Sequence, residues 1–409
     1  MQLHPVLSSL RHHKLTALLL ILQTAFTCAI VINALPMIVH RIERINTPGG
    51  VDEDRLSLIQ VSGIQKDANQ QAQHAADLDA LRRIPGVESA AVIGSGMPFM
   101  GGINAYGICP SATSMQKAMS ERSLDKTDCV QPDVYNGSPG FVQTMGLRVV
   151  QGSDFAAGDY TTGDVPTAIL TRALAAKLYP GERALGKTVF QGKVQIRVVG
   201  VIDDVLRPML RGDGQDHLVM LWPQLPDDTD STYLLHSAPA DRRRILQAAK
   251  AALAKVNPNR LFPEAYQQTF TDVRYRYFQR DITMIGLLVA SGLGLLFVTA
   301  LGITGLANFW VQQRTRTIGI RRAIGATQRD ILRYFQTENL LIMSAGIALG
   351  LLLAFALNLT LMKFYELPRL PLYCLPIGAL LLWLLGQLAV LGPARRAAAV
   401  PPVVATRSA

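Results

Sequence analysis

Four uninterrupted apolar stretches limit what this chain can fold into more than any other feature. They are LTALLLILQTAFTCAIVINALPMIV (Leu15 to Val39), ITMIGLLVASGLGLLFVTALGITGLANFW (Ile282 to Trp310), LLIMSAGIALGLLLAFALNLTLM (Leu340 to Met362) and LYCLPIGALLLWLLGQLAVL (Leu372 to Leu391). None contains Lys, Arg, Asp or Glu. About 20 apolar residues in a helix cross the roughly 30 Å hydrocarbon core of a bilayer. Each stretch is therefore expected to be a transmembrane helix. Gln23, Asn33, Asn308, Asn358 and Gln387 interrupt the runs, and neutral polar residues are tolerated where helices touch in lipid. A signal peptide is the competing reading of the first stretch. Its length exceeds an h-region and no A-x-A site ends it, so an uncleaved span is expected.

Arginine placement sets the expected orientation. Arg11 and Lys14 precede the first span. Arg314, Arg316, Arg321, Arg322, Arg329 and Arg333 lie between the second and third. Arg395, Arg396 and Arg407 follow the fourth. With four spans these segments share one side, which is then the cytoplasm. The expected order is a cytoplasmic N-terminus (1–14), a large extracytoplasmic segment (40–281), a cytoplasmic loop (311–339), a short outer loop (363–371) and a cytoplasmic tail (392–409). Lys363 and Arg369 in the outer loop run against the rule. The net charge of +10 gathers beside membrane spans with little aromatic interleaving, so the basic partner is the lipid bilayer and no nucleic acid is expected.

The long outer segment has soluble character. Leu81 to Ser95 reads as a helix end, a Pro-Gly turn and a strand. Thr167 to Gly181 reads as a strand and then a helix stopped by Pro180-Gly181. Lys187 to Val205 reads as a hairpin around Gln191-Gly192. Asp241 to Asn259 reads as an amphipathic helix. Tyr266 to Asp281 is polar and helix-compatible, and is expected to extend the second span outward. Helices alternating with strands give an α+β domain. Of four cysteines, Cys28 and Cys374 fall in apolar spans and read as inert packing residues. Cys109 and Cys129 fall in the outer segment, where an oxidising compartment permits a disulfide between them. No His stands at ligand spacing beside them, so a metal is not expected.

GERALGKT, Gly181 to Thr188, matches the P-loop pattern G-x-x-x-x-G-K-[ST] in full. A P-loop needs a strand before the glycines and a helix after the Lys-Thr, because the helix N-terminus holds the phosphates. Here a helix precedes and a strand follows, on the outer side, where ATP is scarce. The motif therefore reads as a turn and a false positive, and no intrinsic ATPase is expected. VVGVIDD resembles a Walker B strand but starts only ten residues after Thr188. No H-E-x-x-H or G-x-S-x-G occurs. The carboxylates of GVIDDV and PDDTD read as exposed loop residues, and His12 and His13 as interfacial.

The most distinctive segment is VQQRTRTIGIRRAIGATQRDILRYFQTENLLI, Val311 to Ile342. Ile318, Ile320, Ala323, Ile324 and Ile331 give a short amphipathic element bounded by Gly319 and Gly325. Three readings stand: a positive-inside loop, a helix lying on the membrane surface, and a helix that fits a groove on a partner protein.

Within it, RTRTIGIRRAIGATQRDILRYFQTE resembles the coupling-helix signature of the MacB/FtsX-type permeases of ABC transporters, the mechanotransmission class. PGFVQTMGLRVVQGSDF, ILTRALAAKLYPGERALGKTVFQGKVQIRVVGVIDDV and PARRAAAVPPVVATR are similar to further stretches of that family, so the likeness covers nearly the whole chain. Two positions depart from the pattern: Thr317 stands where Glu is common, and Ser153 where Arg is usual. The Cys109 to Cys129 stretch has no counterpart. Some members carry an ATPase fused at the N-terminus; this sequence begins about 14 residues before its first span.

The resemblance implies a membrane protein with four transmembrane helices and a large extracytoplasmic α+β domain, a MacB-like periplasmic core, inserted between spans one and two. It places a small subdomain at about 132–235. It implies an inner-membrane location, with both termini cytoplasmic and the domain periplasmic. It implies that Arg314, Arg316, Gly319, Ile320, Arg321, Arg322, Ala323, Ile324, Gly325 and Ala326 couple to a separate cytoplasmic ABC ATPase, which would hold ATP and Mg. This chain itself is expected to bind no cofactor. A second permease protomer, identical or related, is implied, with a periplasmic adaptor and outer-membrane channel if the role is export. The family also extracts lipoproteins, activates cell-wall hydrolases and senses peptides.

Overall fold

The structure, a computed structural model, describes residues 14–63, 69–94, 96–101, 104–124, 126–160, 165–212, 214–225, 230–365 and 371–399. Arg11, His12, His13, Arg369, Arg407 and the side chain of Lys363 lie outside the described residues, as does most of the expected outer loop 363–371. The helices in chain order are α1 (Lys14–Asn46), α2 (Gln70–Arg82), α3 (Ala112–Glu121), α4 (Phe141–Thr144), α5 (Arg172–Leu178), α6 (Arg242–Val256), α7 (Phe270–Gln313), α8 (Thr315–Ala323), α9 (Gln328–Tyr365) and α10 (Cys374–Ala398). The strands are β1 (Leu56–Gly63), β2 (Val87–Ile93), β3 (Asp133–Asn136), β4 (Val149–Gly152), β5 (Thr167–Thr171), β6 (Thr188–Gln191), β7 (Val194–Ile202), β8 (Val219–Trp222), β9 (Asp230–Ser237), β10 (Arg260–Leu261) and β11 (Gln267–Thr269). They form two units, Met1–Asn46 with Arg280–Ala409, and Thr47–Gln279.

The first unit is helical. α1, α7, α9 and α10 are each long and apolar enough to cross a membrane. Lipid tails give helices little hydrophobic reason to associate, so close packing and interhelical hydrogen bonds must do it. Both occur here. At Gly346 and Gly350 of α9 a Cβ would lie 2.8 Å from Thr24 and 2.5 Å from Cys28 of α1, so only glycine lets these backbones approach. Asn33 Nδ2 donates to the Ala354 carbonyl at 3.1 Å, Gln23 Nε2 to Val298 at 3.1 Å, and Asn339 Nδ2 to Gly386 at 2.9 Å. Gln23 and Asn33, which interrupt the first apolar stretch, are thus interhelical donors. Arg41 and Asp281 pair between α1 and α7.

The second unit is α+β and has two sheets. One has the order β10-β1-β9-β2, with β11 also on β1. α2 and α6 cover it with Leu78, Leu81, Ile245, Ala249 and Leu253, against Ile59, Val61, Val92 and Tyr233. The other has the order β3-β8-β5-β7-β4, with β6 also on β7. Its core joins Leu174 and Leu178 of α5 to Ala168, Leu170, Val189, Ile196, Val198 and Met220. Each sheet carries a buried ion pair: Arg260 Nη1 of β10 reaches Asp77 of α2 at 2.7 Å, and Arg207 Nε, in the loop after β7, reaches Asp133 of β3 at 2.6 Å.

One expected boundary differs. β9 (Asp230–Ser237) belongs to the first sheet, paired with β1 and β2 along its length. A subdomain ending at about 235 would cut that strand, and the second sheet ends with β8. The alternation of β9 was readable, but its partner strands lie more than a hundred residues earlier, which local pattern cannot reveal. The polar segment before the second span is helical from Phe270 onward and continues to Gln313 as one helix.

Candidate functional site

The loop between α7 and α9 carries the residues expected to meet an ATPase. α8 is closed by two backbone bonds, Ala326 N to Arg321 O at 3.0 Å and Gly325 N to Arg322 O at 3.1 Å, with Gly325 at φ +106°. This is the Schellman pattern, which needs a left-handed residue at that position. Thr327 then opens α9. Its hydroxyl donates to Asp330 at 2.5 Å, its N–H meets the same carboxylate at 3.0 Å, and the Asp330 N–H returns to the hydroxyl at 3.3 Å. That reciprocal arrangement is a capping box. A stopped helix, a tight turn and a capped helix give a hairpin with a fixed shape.

The hairpin has an inner and an outer side. Ile318 is buried with Ile331 and Phe335, and Gly319 beside it is buried. Ile320 and Ile324 are 46% and 81% exposed. The five apolar residues therefore do not share one face. At about 100° per residue, Ile318 and Ile320 point roughly 200° apart. Arg316, Arg321, Ala323 and Gly325 are exposed and Ala326 is half-buried.

The arginines also divide. Arg314 Nη1 donates to both Glu338 oxygens, at 2.8 and 3.1 Å, and the carboxylate is 2% exposed. Its guanidinium lies 6.0 Å from the Trp310 ring centre. Arg321 stacks on Tyr334 at 5.0 Å, and Arg322 Nη1 donates to the Ala398 carbonyl at 3.0 Å. Arg314 and Arg322 thus face the helices of their own chain. A pocket of about 180 Å³ between α8 and α9 is rimmed by Thr317, Arg321, Asp330 and Tyr334, so Thr317 sits at its edge where the family pattern has a carboxylate. Glu338, Trp310, Tyr334 and Asp330 escaped the sequence reading. Glu338 carried a signal, as an acid two residues before an apolar span.

GERALGKT lies in the other unit, between α5 and β6. Gly181 and Gly186 have φ of +74° and +81°. Its backbone donors are engaged: Glu182 N with Tyr179 O at 3.1 Å, Gly186 N with Val198 O at 2.9 Å, Lys187 N with Ala184 O at 3.1 Å. Lys187 pairs with Glu182 and lies 4.5 Å over the Tyr179 ring. That hydrogen bond holds the exposed Glu182 carboxyl below the usual range. In the neighbouring GVIDDV, Asp203 takes Arg148 and Arg172, and Asp204 Oδ1 accepts the Ala173 N–H at 2.7 Å. Most of PDDTD lies outside the described residues.

Cys109 and Cys129 form a disulfide with Cα atoms 4.2 Å apart. Cys109 exchanges both backbone hydrogen bonds with Phe190 of β6 at 2.9 Å, and Ile108 does so with Val130 at 2.8 and 2.9 Å. The bridge pins a short segment along the edge of β6, with Met115 and Ala118 of α3 packed beneath. Cys28 and Cys374 are free and buried. Ser153 keeps its backbone bond to Val199 at 3.3 Å while its side chain is exposed.

An α+β domain inserted after the first of four spans, with a capped helical hairpin between the second and third, defines a class of membrane permease. Residues 37–268 match the MacB-like periplasmic core domain, and residues 286–402 match the FtsX-like permease C-terminal domain. The chain belongs to the MacB/FtsX-type ABC permease family. It is 30% identical over 311 residues to the macrolide export ATP-binding/permease protein MacB of Bartonella henselae, covering 72% of this chain and 46% of that protein. It is 30% identical over 274 residues to MacB 1 of Aeromonas hydrophila, covering 64% and 41%. It is 24% identical over 306 residues to the uncharacterized ABC transporter permease YknZ of Bacillus subtilis, covering 73% and 74%. The chain thus spans about half the length of the MacB relatives it matches.

Proposed function

We propose that this chain is the permease subunit of an ABC transporter and transmits ATP-driven motion from a separate cytoplasmic ATPase to its periplasmic domain. The observation that carries this reading is the outer side of the α8 hairpin. Ile324 is 81% exposed and Ile320 46%, beside Arg316, on a helix fixed at both ends. Two exposed isoleucines beside cationic side chains suit a groove on a partner with an acidic rim. ATP and Mg belong to that partner, and no ATP hydrolysis by this chain is expected. The engaged donors around Lys187 support that part.

The load is moved outside the membrane, since the four apolar stretches contain no charged residue to mark a path. A second permease protomer completes the complex. Export of a peptide, antibiotic or similar substrate, with a periplasmic adaptor and outer-membrane channel, is favoured by the size of the periplasmic domain and by the export named for the MacB relatives. Lipoprotein extraction, hydrolase regulation and peptide sensing are the alternatives.

The test is purification of the chain from its native membranes and identification of what accompanies it. An ABC ATPase is expected with the wild type, and at least tenfold less with Ile324→Asp. Equal recovery with Ile324→Asp overturns the docking face. An adaptor among the companions supports export, and a sensor kinase in its place supports sensing.

A further inference from the structure

Arg314 stands apart from the other arginines of the hairpin. It occupies the break between α7 and α8, where its N–H still reaches Trp310 O at 3.1 Å and Val311 O at 3.2 Å. Its side chain crosses to Glu338, ten residues into α9. The carboxylate is 2% exposed and the guanidinium side chain 17%. Around Glu338, a small cavity is lined by Leu20 of α1, Trp310 of α7, Asn339 of α9, and Val390 and Pro393 of α10. All four spans therefore converge on this carboxylate.

A buried carboxylate stays ionised only beside a cation. A buried ion pair adds little stability over a well-packed apolar pair, so its value lies elsewhere, in fixing one geometry. Apolar contacts slide, whereas a guanidinium bonded to two oxygens resists sliding in the plane of the carboxylate. The other links of α8 are softer. Arg321 is exposed and stacks on a ring, and Arg322 makes a hydrogen bond to a backbone carbonyl at the C-terminal end of α10.

Resting on the transmission reading above, we infer that Arg314 and Glu338 form the joint through which movement of α8 enters the third span. Arg314 is a positioning residue, and the ATPase contacts belong to the outer side at Arg316, Ile320 and Ile324. A pull on that outer side turns α8 about its N-terminus, and the ion pair delivers the turn to α9. Without the pair, α8 yields against Ile331 and Phe335 and α9 stays still.

The test uses the full chain with its co-purified ATPase in lipid nanodiscs. Hydrogen exchange of α9 is compared with ADP and with a non-hydrolysable ATP analogue. Arg314→Gln and Glu338→Gln are expected to keep ATPase recovery within about twofold of wild type and to lose at least fivefold of the nucleotide-dependent difference in α9. The swap Arg314→Glu with Glu338→Arg keeps both charges and should restore at least half of that difference. An undiminished difference in both single variants overturns the joint. So does a loss of ATPase recovery in parallel with the difference, which would make Arg314 a contact. Where a single variant fails to fold, the swap decides: restoration supports the joint, and a folded swap without restoration overturns it. Absence of any ATPase with the wild type overturns the transmission reading, and the joint with it.

Discussion

At the scale of single residues, identity matters less than what surrounds it. Lys187 completes a full P-loop pattern, yet its ammonium is paired with Glu182 and laid over Tyr179. Lys187→Ala is therefore expected to change stability by no more than about 0.5 kcal/mol, as for an ordinary surface substitution. ATP hydrolysis by the purified complex should be unchanged. The same variant should let Glu182 titrate at its ordinary position. In the native chain the lowered carboxyl gives a contribution that is present above the ordinary carboxylate range and lost as pH falls through the lowered value. Titration followed by NMR would read both states, and a Glu182 that does not move in the variant overturns the assignment of the pair. Arg314 teaches the converse. It looked like one more basic residue in a basic loop, and its burial against Glu338 and Trp310 separates it from the exposed Arg316.

At the scale of elements, local signals were readable and remote ones were not. The hairpin of β6 and β7, the helix stopped at Pro180 and the amphipathic α6 follow from turn residues and apolar spacing within a dozen positions. Membership of β9 in the first sheet does not, because its register is set by β1 and β2. Within α8 the apolar spacing read as one amphipathic element. The structure splits that element because, at about 100° per residue, Ile318 points away from Ile320, so Ile318 is buried while Ile320 and Ile324 are exposed. The disulfide shows the same limit: both cysteines were visible, but not their proximity to β6. It pins the edge segment at Cys109, 20 residues from its partner in sequence. Closing a loop of that size is worth about 3 kcal/mol. Reduction, or serine at both positions, should raise hydrogen exchange at Ile108 and Val130 by about a hundredfold and leave β1 and β9 unchanged. A uniform rise across both sheets would contradict an edge role.

At the scale of the molecule, the four spans were the most legible feature, because lipid demands length and apolarity from every crossing segment. Orientation rests on arginine placement and has its own test. The native cysteines are either bridged or buried, so they should stay silent to a thiol reagent. A cysteine in place of exposed Lys193, at the tip of the hairpin of β6 and β7, should react with a membrane-impermeant maleimide in intact cells with a permeabilised outer envelope. A cysteine at Ala323 should react only after the inner membrane is opened. The reverse pattern would invert the topology.

The spans differ in how much of them a single chain covers. Half of the most apolar window of α1 is buried, against 6% of that of α7. Thr299 meets Thr27 at 2.9 Å, and Gly302 backs onto Gln23. Leu287, Leu293, Phe297 and Leu301 are each more than half exposed. Under random substitution, α1 should thus tolerate little where Cys28 and Ile32 meet glycines of α9 and α10. The exposed positions of α7 should exchange freely among apolar side chains. Any intolerance found at those positions would be imposed from outside the chain, and mapping it residue by residue would draw the outline of whatever α7 touches in the membrane.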